Sequence, residues 1–144
     1  MLIERSSQLR QHAGQLAFPG GKPEASDRDL LDTALREAEE EVGLPRELVS
    51  VIGRLHPVPT PSGFMIVPFV GRVRGDWTPR LASGEVERIV IPRLRTLMDP
   101  SVYRTTGRVE WRGFHYDMHE YRIGDPPLWG ATARMVWDLL ERLR

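Results

Sequence analysis

The clearest periodic pattern lies in residues 26–42, where apolar side chains recur at helical intervals. The apolar positions of this stretch are Leu31, Leu35, Ala38 and Val42. Spacings of three and four residues place them on one face of an α-helix. Ser26 or Asp27 is available as the N-cap. Gly43, followed shortly by Pro45, is typical of a helix C-terminus, so we predict that the helix stops at Gly43.

The C-terminal residues 131–143 carry a second helical pattern. Its apolar side chains are Met135, Val136, Leu139, Leu140 and Leu143. They form a stripe along one side, with charged residues elsewhere. We therefore predict an amphipathic closing helix whose stripe packs in the core.

Shorter apolar stretches outside these helices predict strands. Residues 2–5 and 15–18 are two short pieces around a polar segment, whereas residues 48–56, 64–74 and 86–91 are rich in Val, Ile and Phe and bounded by Pro, Gly or Ser. Residues 114–123 alternate in a period of two, which is typical of a half-exposed edge strand. Helices and strands together predict an α/β fold with a mixed sheet.

Length and composition place the chain among soluble globular proteins of one domain. It has 144 residues, of which 40% are apolar and 28% charged. Twenty Lys and Arg balance twenty Asp and Glu, although nineteen of the basic residues are arginines. This neutral balance argues against nucleic acid or an anionic membrane as a partner, since both need uncompensated basic groups. A small molecule is the expected partner.

The residue types also restrict the chemistry and the compartment. Without cysteine there is no disulfide, thiolate nucleophile or Cys-ligated metal, so oxygen ligands and hard cations are favoured. The longest apolar run, residues 64–70, is interrupted by Pro68 and too short to cross a bilayer. The N-terminus lacks a signal-peptide pattern. We therefore expect a cytoplasmic protein.

Three carboxylates in the first helix are candidates for metal binding. Glu37, Glu40 and Glu41 occupy positions i, i+3 and i+4 and share an arc of roughly 100°. Like charges at this spacing, close to the negative end of the helix dipole, disfavour the helix. A divalent cation reverses this effect, and Mg²⁺ is commonly held by one or two carboxylates together with water and phosphate oxygens. The alternative is an ordinary solvated acidic face.

The surroundings of this acidic cluster favour the metal-binding interpretation. Gly20 and Gly21 follow a predicted strand and lead into the helix, and glycines permit a close approach of the backbone to a phosphate. Arg36 can either bond Glu40 one turn on or hold a carboxylate in the rotamer a metal requires.

Residues 21–44 end in Arg-Glu-Ala-Glu-Glu-Glu-Val-Gly-Leu and resemble the signature of the Nudix hydrolases. One residue more than in the general pattern separates Asp27 from Arg36, a spacing similar to that of the coenzyme A pyrophosphatase branch. Further pieces resemble the same branch in the same order: Arg5-Ser6, Leu9, His12, Gly14-Gln15 and Phe18 to Gly21, then residues 60–64, 67–68, 84–86 and 129–133. The resemblance thus covers most of the chain.

This resemblance implies a single Nudix domain over residues 1–144 with an α/β/α sandwich around a mixed sheet. Family members usually begin upstream of this Met1, so an N-terminal strand is expected to be lacking. A missing strand leaves backbone donors and acceptors free along a sheet edge. A homodimer that pairs this edge is therefore expected, unless the chain is incomplete.

The resemblance also implies a metal-dependent hydrolysis in which water attacks a diphosphate. Glu37 and Glu41 match the ligands of Mg²⁺ or Mn²⁺, with Glu40 as a further ligand. Metal charge on the phosphate oxygens supplies most of the acceleration. A general base adds to it, and Glu41 and Glu85 are both candidates. Arg36 completes the expected catalytic set.

The substrate implied by the branch is coenzyme A or an acyl derivative, cleaved to 3′,5′-ADP and 4′-phosphopantetheine. Arg5 and Arg10 are expected at the 3′-phosphate, and His12 at a phosphate or the adenine. Phe64 and Trp129 are candidates to stack on adenine, although buried packing is what we expect for each ring. The remaining expected substrate contacts are Gly20, Gly21, Ser62 and Gly63.

Two other functions fit the same residues. One is a Nudix hydrolase of a different nucleoside diphosphate derivative, such as ADP-ribose or a dinucleotide. The other is a non-catalytic Nudix domain that binds a nucleotide or a partner protein, against which the complete carboxylate set argues.

Overall fold

The computed structural model describes residues 1–111 and 113–144. The strands of these residues are β1 (Leu2–Arg5), β2 (Leu16–Ala17), β3 (Val49–Arg54), β4 (Val58–Pro59), β5 (Met65–Ile66), β6 (Phe69–Val73), β7 (Val86–Val90), β8 (Tyr103–Trp111), β9 (Phe114–Tyr121) and β10 (Leu128–Trp129). The helices are α1 (Leu30–Val42), α2 (Leu94–Leu97) and α3 (Gly130–Leu143), with a short 3₁₀ helix at Arg46–Leu48. The predicted α/β class is confirmed.

Strand β1 is the central strand of its sheet, because it pairs with β2 on one side and β7 on the other. Its consecutive residues Leu2 and Ile3 are both 1% exposed and face opposite sides of the sheet, as strand alternation requires. Leu2 packs in the core cluster that holds Val136 of α3, whereas Ile3 packs in the cluster that holds Val42 of α1. A helix therefore covers each face, which is the expected α/β/α sandwich.

The strands of the described residues form four small sheets. Two have three strands, in the orders β2-β1-β7 and β10-β9-β8, and two are the pairs β3-β6 and β4-β5. Every assigned pairing among these strands is antiparallel. The mixed sheet that we expected thus takes the form of several antiparallel ones.

Helix α1 begins later than its pattern predicted and ends where predicted. Its N-cap is Asp29, whose carboxylate accepts a hydrogen bond from the Asp32 amide at 2.8 Å, so the expected cap at Ser26 or Asp27 was wrong. Asp27 is engaged by an arginine instead, as described below. At the other end Gly43 adopts the left-handed conformation, with φ of 66°, and terminates the helix.

The closing helix α3 packs on β9 and supplies the largest part of the core. Met135, Val136 and Leu140 are at most 5% exposed, as the apolar stripe predicts. Leu143, the last residue of the helix, is 52% exposed and lies outside that core.

The predicted edge strand is in fact a central one. Strand β9 lies between β8 and β10, so the assignment of its alternation to an edge position was wrong. Its period of two has another cause: His119 and Tyr121 are buried on one face, while Phe114 on the other is 64% exposed. Sequence alternation reports which face is covered and carries no information about strand neighbours.

No helix of the described residues combines the length and apolar character needed to cross a membrane.

Candidate active site

The glycine turn before α1 lies directly against two carboxylates of that helix. Glu41 is 4% exposed, and its Oε2 accepts a hydrogen bond from the Gly20 amide at 3.1 Å. A Cβ atom on Gly21 would lie 2.1 Å from Oε1 of Glu37, so any side chain there displaces that carboxylate. The absence of a side chain at position 21 therefore makes room for Glu37. The predicted approach of a phosphate to this turn stays a prediction.

Arg36 makes hydrogen bonds to several members of the acidic cluster and to the segment before α1. Its guanidinium binds both oxygens of Asp27, with distances of 2.8 and 2.9 Å, and donates to the Lys22 carbonyl at 3.1 Å. Its Nη1 donates at 3.2 Å both to Oε1 of Glu37 and to Oε2 of Glu40. Arg36 thus makes the predicted bond to Glu40 and also contacts Glu37, while the orientation of Glu37 for a metal stays a prediction.

The ion pair between Arg36 and Asp27 is largely buried, because the Arg36 side chain is 14% exposed. The Asp27 side chain is 4% exposed and also accepts from the Thr33 hydroxyl at 2.9 Å. These hydrogen bonds from Arg36 hold the pKa of Asp27 well below its usual range and raise the pKa of Arg36. The pair therefore attaches the segment between the glycine turn and α1 to the side of that helix.

The carboxyl group of Glu41 has an electrostatic environment unlike that of a surface glutamate. Its pKa is raised to about 7, mainly by burial and in smaller part by the nearby charges of Glu37 and Glu85. The Gly20 amide and the charge of Arg5 act in the opposite direction. Burial also raises the pKa of Glu37. Anionic charge is therefore unfavourable at this position unless a cation is added.

Glu85 lies near Glu41 although 43 residues separate them in the chain. It is exposed in the turn before β7, where its carbonyl accepts from the Ser6 amide at 2.8 Å. The Ala82 amide donates to the carbonyl of Glu41 at 3.2 Å and ties the same loop to the end of α1. The loop thus carries an accessible carboxylate close to Glu41, and a catalytic role for Glu85 stays a prediction.

The donor set fits a hard divalent cation with few protein ligands. Glu37 and Glu41 meet beside the glycine turn, whereas the Glu40 side chain is 55% exposed and lies against Arg36. Across the described part of the chain, no group of three or more acidic or histidine side chains is arranged to hold a metal. Mg²⁺ needs only one or two carboxylates, because water and substrate oxygens complete its coordination. Glu37 and Glu41 therefore fit, and Glu40, which shares the Arg36 Nη1 with Glu37, lies at the exposed edge of the cluster.

Two of the expected substrate contacts lie in the loop between β1 and β2. Arg10 is exposed there. His12 is also exposed, has a positive φ of 56°, and hydrogen-bonds through Nδ1 to the Gln15 side chain at 3.0 Å. A left-handed conformation at a histidine is uncommon. Arg5 lies apart from both, at the end of β1 and close to Glu41.

The remaining expected contacts lie on the turn between β4 and β5. Ser62 and Gly63 form its tip, and Phe64 is 53% exposed beside them. The Lys22 ammonium lies 4.6 Å from the centre of the Phe64 ring, which brings this turn against the glycine turn. The expected buried packing was wrong for Phe64 and for Trp129, which is 48% exposed. Lys22 was missed, although a lone lysine directly after two glycines was a usable signal.

The chain is similar to known proteins along its whole length. The family model described as NUDIX domain matches residues 1–110. A protein named uncharacterized Nudix hydrolase NudL from Photorhabdus laumondii is 35% identical over the whole chain, which covers 76% of that protein. Its namesake from Yersinia enterocolitica is 37% identical over 99% of the chain and 73% of the relative, and that from Yersinia pestis is 34% identical over 99% and 71%. The chain therefore belongs to the Nudix hydrolase family.

Proposed function

We propose that this protein hydrolyses the diphosphate of coenzyme A or acyl-coenzyme A in a metal-dependent reaction. The products are 3′,5′-ADP and 4′-phosphopantetheine or its acyl derivative. The observation that carries the hydrolytic chemistry is the buried carboxylate of Glu41, which lies beside Glu37 and Glu85 and is unfavourable as an anion without a cation. The choice of coenzyme A rests on the leader residues and the spacing between Asp27 and Arg36, which are similar to those of the coenzyme A branch.

Glu37 and Glu41 would hold Mg²⁺ or Mn²⁺, while Glu40 contributes charge from the edge of the site. The cation supplies positive charge to the diphosphate oxygens when it is bound. Arg36 keeps Glu37 in place through the 3.2 Å contact from Nη1 and prevents it from turning to solvent. Gly20 fixes the other carboxylate through its amide. The protein thus contributes mainly the orientation of charged groups.

Glu85 is the general base in this proposal, and Glu41 is left as a ligand. The carboxylate of Glu85 is exposed and lies on a loop that is tied to the end of α1, so it is accessible to water and substrate. It accepts a proton from the attacking water as the water oxygen bonds to phosphorus. The bond from that phosphorus to the bridging oxygen then breaks, and the leaving phosphate takes the electron pair. General bases of this kind contribute about 10²- to 10⁴-fold.

Incubation of the purified protein with coenzyme A and Mg²⁺ or Mn²⁺, followed by mass analysis, tests the proposal. We expect both cleavage products from the wild type and at least a hundredfold slower turnover by Glu41→Gln. Arg72→Gln is the matched control, because Arg72 is exposed on β6 away from the acidic cluster. A folded wild-type sample that yields neither product refutes the proposal. Parallel rates on ADP-ribose and a dinucleotide separate coenzyme A from the alternative nucleotide substrates.

A further inference from the structure

Arg5 lies where three segments of the chain meet. Its amide donates to the Gln15 carbonyl at 3.0 Å, and its carbonyl accepts from the Gly14 amide at 2.9 Å. The register between β1 and β7 shifts between Glu4 and Arg5, so the ladder is irregular at this point. The next amide, that of Ser6, donates to the carbonyl of Glu85. Irregularities of this kind beside active sites commonly redirect a side chain, and here the backbone on both sides is held by hydrogen bonds.

The Arg5 guanidinium is buried in part but is not satisfied. Its Nε is buried and has no hydrogen-bond partner among the described residues. Its charge nevertheless acts on Glu41, where it opposes the effect of burial on the carboxyl pKa. Arg36, on the other side of the same acidic cluster, donates to Asp27, Glu37 and other acceptors. Arg36 thus donates its hydrogen bonds to protein acceptors, whereas the Arg5 Nε–H is a donor without an acceptor among the described residues.

A buried donor without an acceptor is costly and rare in folded proteins. A guanidinium in this position suits a phosphate group, because its planar set of N–H donors matches two oxygens at once. The donor lies close to Glu41 and next to the residue that anchors the loop of Glu85. A group that accepts a hydrogen bond from the Arg5 guanidinium therefore lies beside the carboxylates that act on the diphosphate.

We propose that Arg5 binds a non-bridging oxygen of the scissile diphosphate, in place of the 3′-phosphate contact that its sequence position suggested. This inference rests on the proposed diphosphate hydrolysis but not on coenzyme A as the substrate. Negative charge increases on the oxygens of the attacked phosphoryl group as the reaction proceeds, and a fixed cationic donor stabilises that charge. Arg5 is then required for every substrate that shares the diphosphate.

Arg5→Gln and Arg5→Lys, compared on coenzyme A, 3′-dephospho-coenzyme A and ADP-ribose with Mg²⁺, test the proposal. We expect Arg5→Gln to lose about 100-fold in kcat/KM on each substrate that the wild type cleaves, mainly through kcat. Arg5→Lys should recover part of this loss, since it keeps the charge without the planar donors. Arg72→Gln should match the wild type. A loss confined to coenzyme A overturns the proposal, because Arg5 then reads the 3′-phosphate, and so does wild-type activity in Arg5→Gln.

Binding of α,β-methylene-ADP with Mg²⁺, measured by calorimetry, keeps the inference testable without turnover. We expect at least tenfold weaker binding by Arg5→Gln and no change for Arg72→Gln, and equal affinity of Arg5→Gln and wild type overturns the inference. Arg5→Lys gives the same comparison if the glutamine variant does not fold. If coenzyme A is not cleaved while binding still depends on Arg5, the proposed substrate fails and the inference stands.

Discussion

Glu41 should destabilise the protein at neutral pH when no metal is bound. Its carboxyl group is 4% exposed, and burial raises its pKa from 4.5 to about 7. The folded state therefore holds the Glu41 proton more tightly than the unfolded chain does. Replacement by Gln removes the charge while its side-chain oxygen still accepts from the Gly20 amide. Glu41→Gln is thus expected to stabilise the metal-free fold.

The size and the pH range of this effect follow from the two pKa values. Below about pH 4.5 the carboxyl is protonated in both states, and there is no cost to folding. As pH rises from 4.5 to 7 the unfolded chain ionises first, so stability is lost over this range. Above about pH 7 the cost is complete. It amounts to about 2–3 kcal/mol after allowance for solvent screening.

Urea denaturation in a chelating buffer at pH 4.5 and pH 8 measures this cost. We expect Glu41→Gln to be more stable than the wild type by about 2 kcal/mol at pH 8 and equal to it at pH 4.5. Glu40→Gln is the matched control, since that side chain is 55% exposed and its change should stay within about 0.5 kcal/mol. The ranking should change with saturating Mg²⁺, which stabilises the wild type and has little effect on Glu41→Gln.

Two outcomes would refute this reasoning. In one, the wild type and Glu41→Gln lose equal stability between pH 4.5 and pH 8, so that the buried charge carries no cost. In the other, Mg²⁺ stabilises Glu41→Gln as much as the wild type, so that the carboxylate is not a ligand.

Two further predictions concern the glycine turn and the exposed aromatic ring. Gly21→Ala places a Cβ 2.1 Å from Oε1 of Glu37, so hydrolysis rates should fall at least tenfold while the melting temperature changes little, since the flexible carboxylate can move aside. Gly53→Ala, where a Cβ meets nothing within 4 Å, should be active, and an equal loss there would contradict this explanation. Phe64→Ala should raise KM for coenzyme A about tenfold with kcat retained, if the ring stacks on the base. Phe114→Ala removes another exposed ring and should leave KM unchanged.

Much of the local structure could be predicted because it depends on neighbours in the chain. The end of α1 was predictable because Gly43 takes up the left-handed conformation that ends helices. The start of α1 was not, because Asp27, a good N-cap by type, is bound by Arg36 from the middle of the helix and leaves the cap to Asp29. Burial of Phe64 and Trp129 was offered from residue type alone, and both rings are exposed.

The sequence by itself determined the α/β class, the helix that carries Glu37, Glu40 and Glu41, and the family signature, since these depend on spacing within short segments. Only the tertiary structure decided that Glu41 is the buried carboxylate, and that Arg36 finds protein acceptors while the Arg5 Nε does not. Those outcomes depend on β1 and the loop before β7 meeting at the end of α1, and long-range pairing of this kind is set by the packing of the whole sheet. Composition and periodicity describe each segment alone, whereas the pKa of Glu41 depends on side chains from β1, from the loop before β7 and from α1 itself.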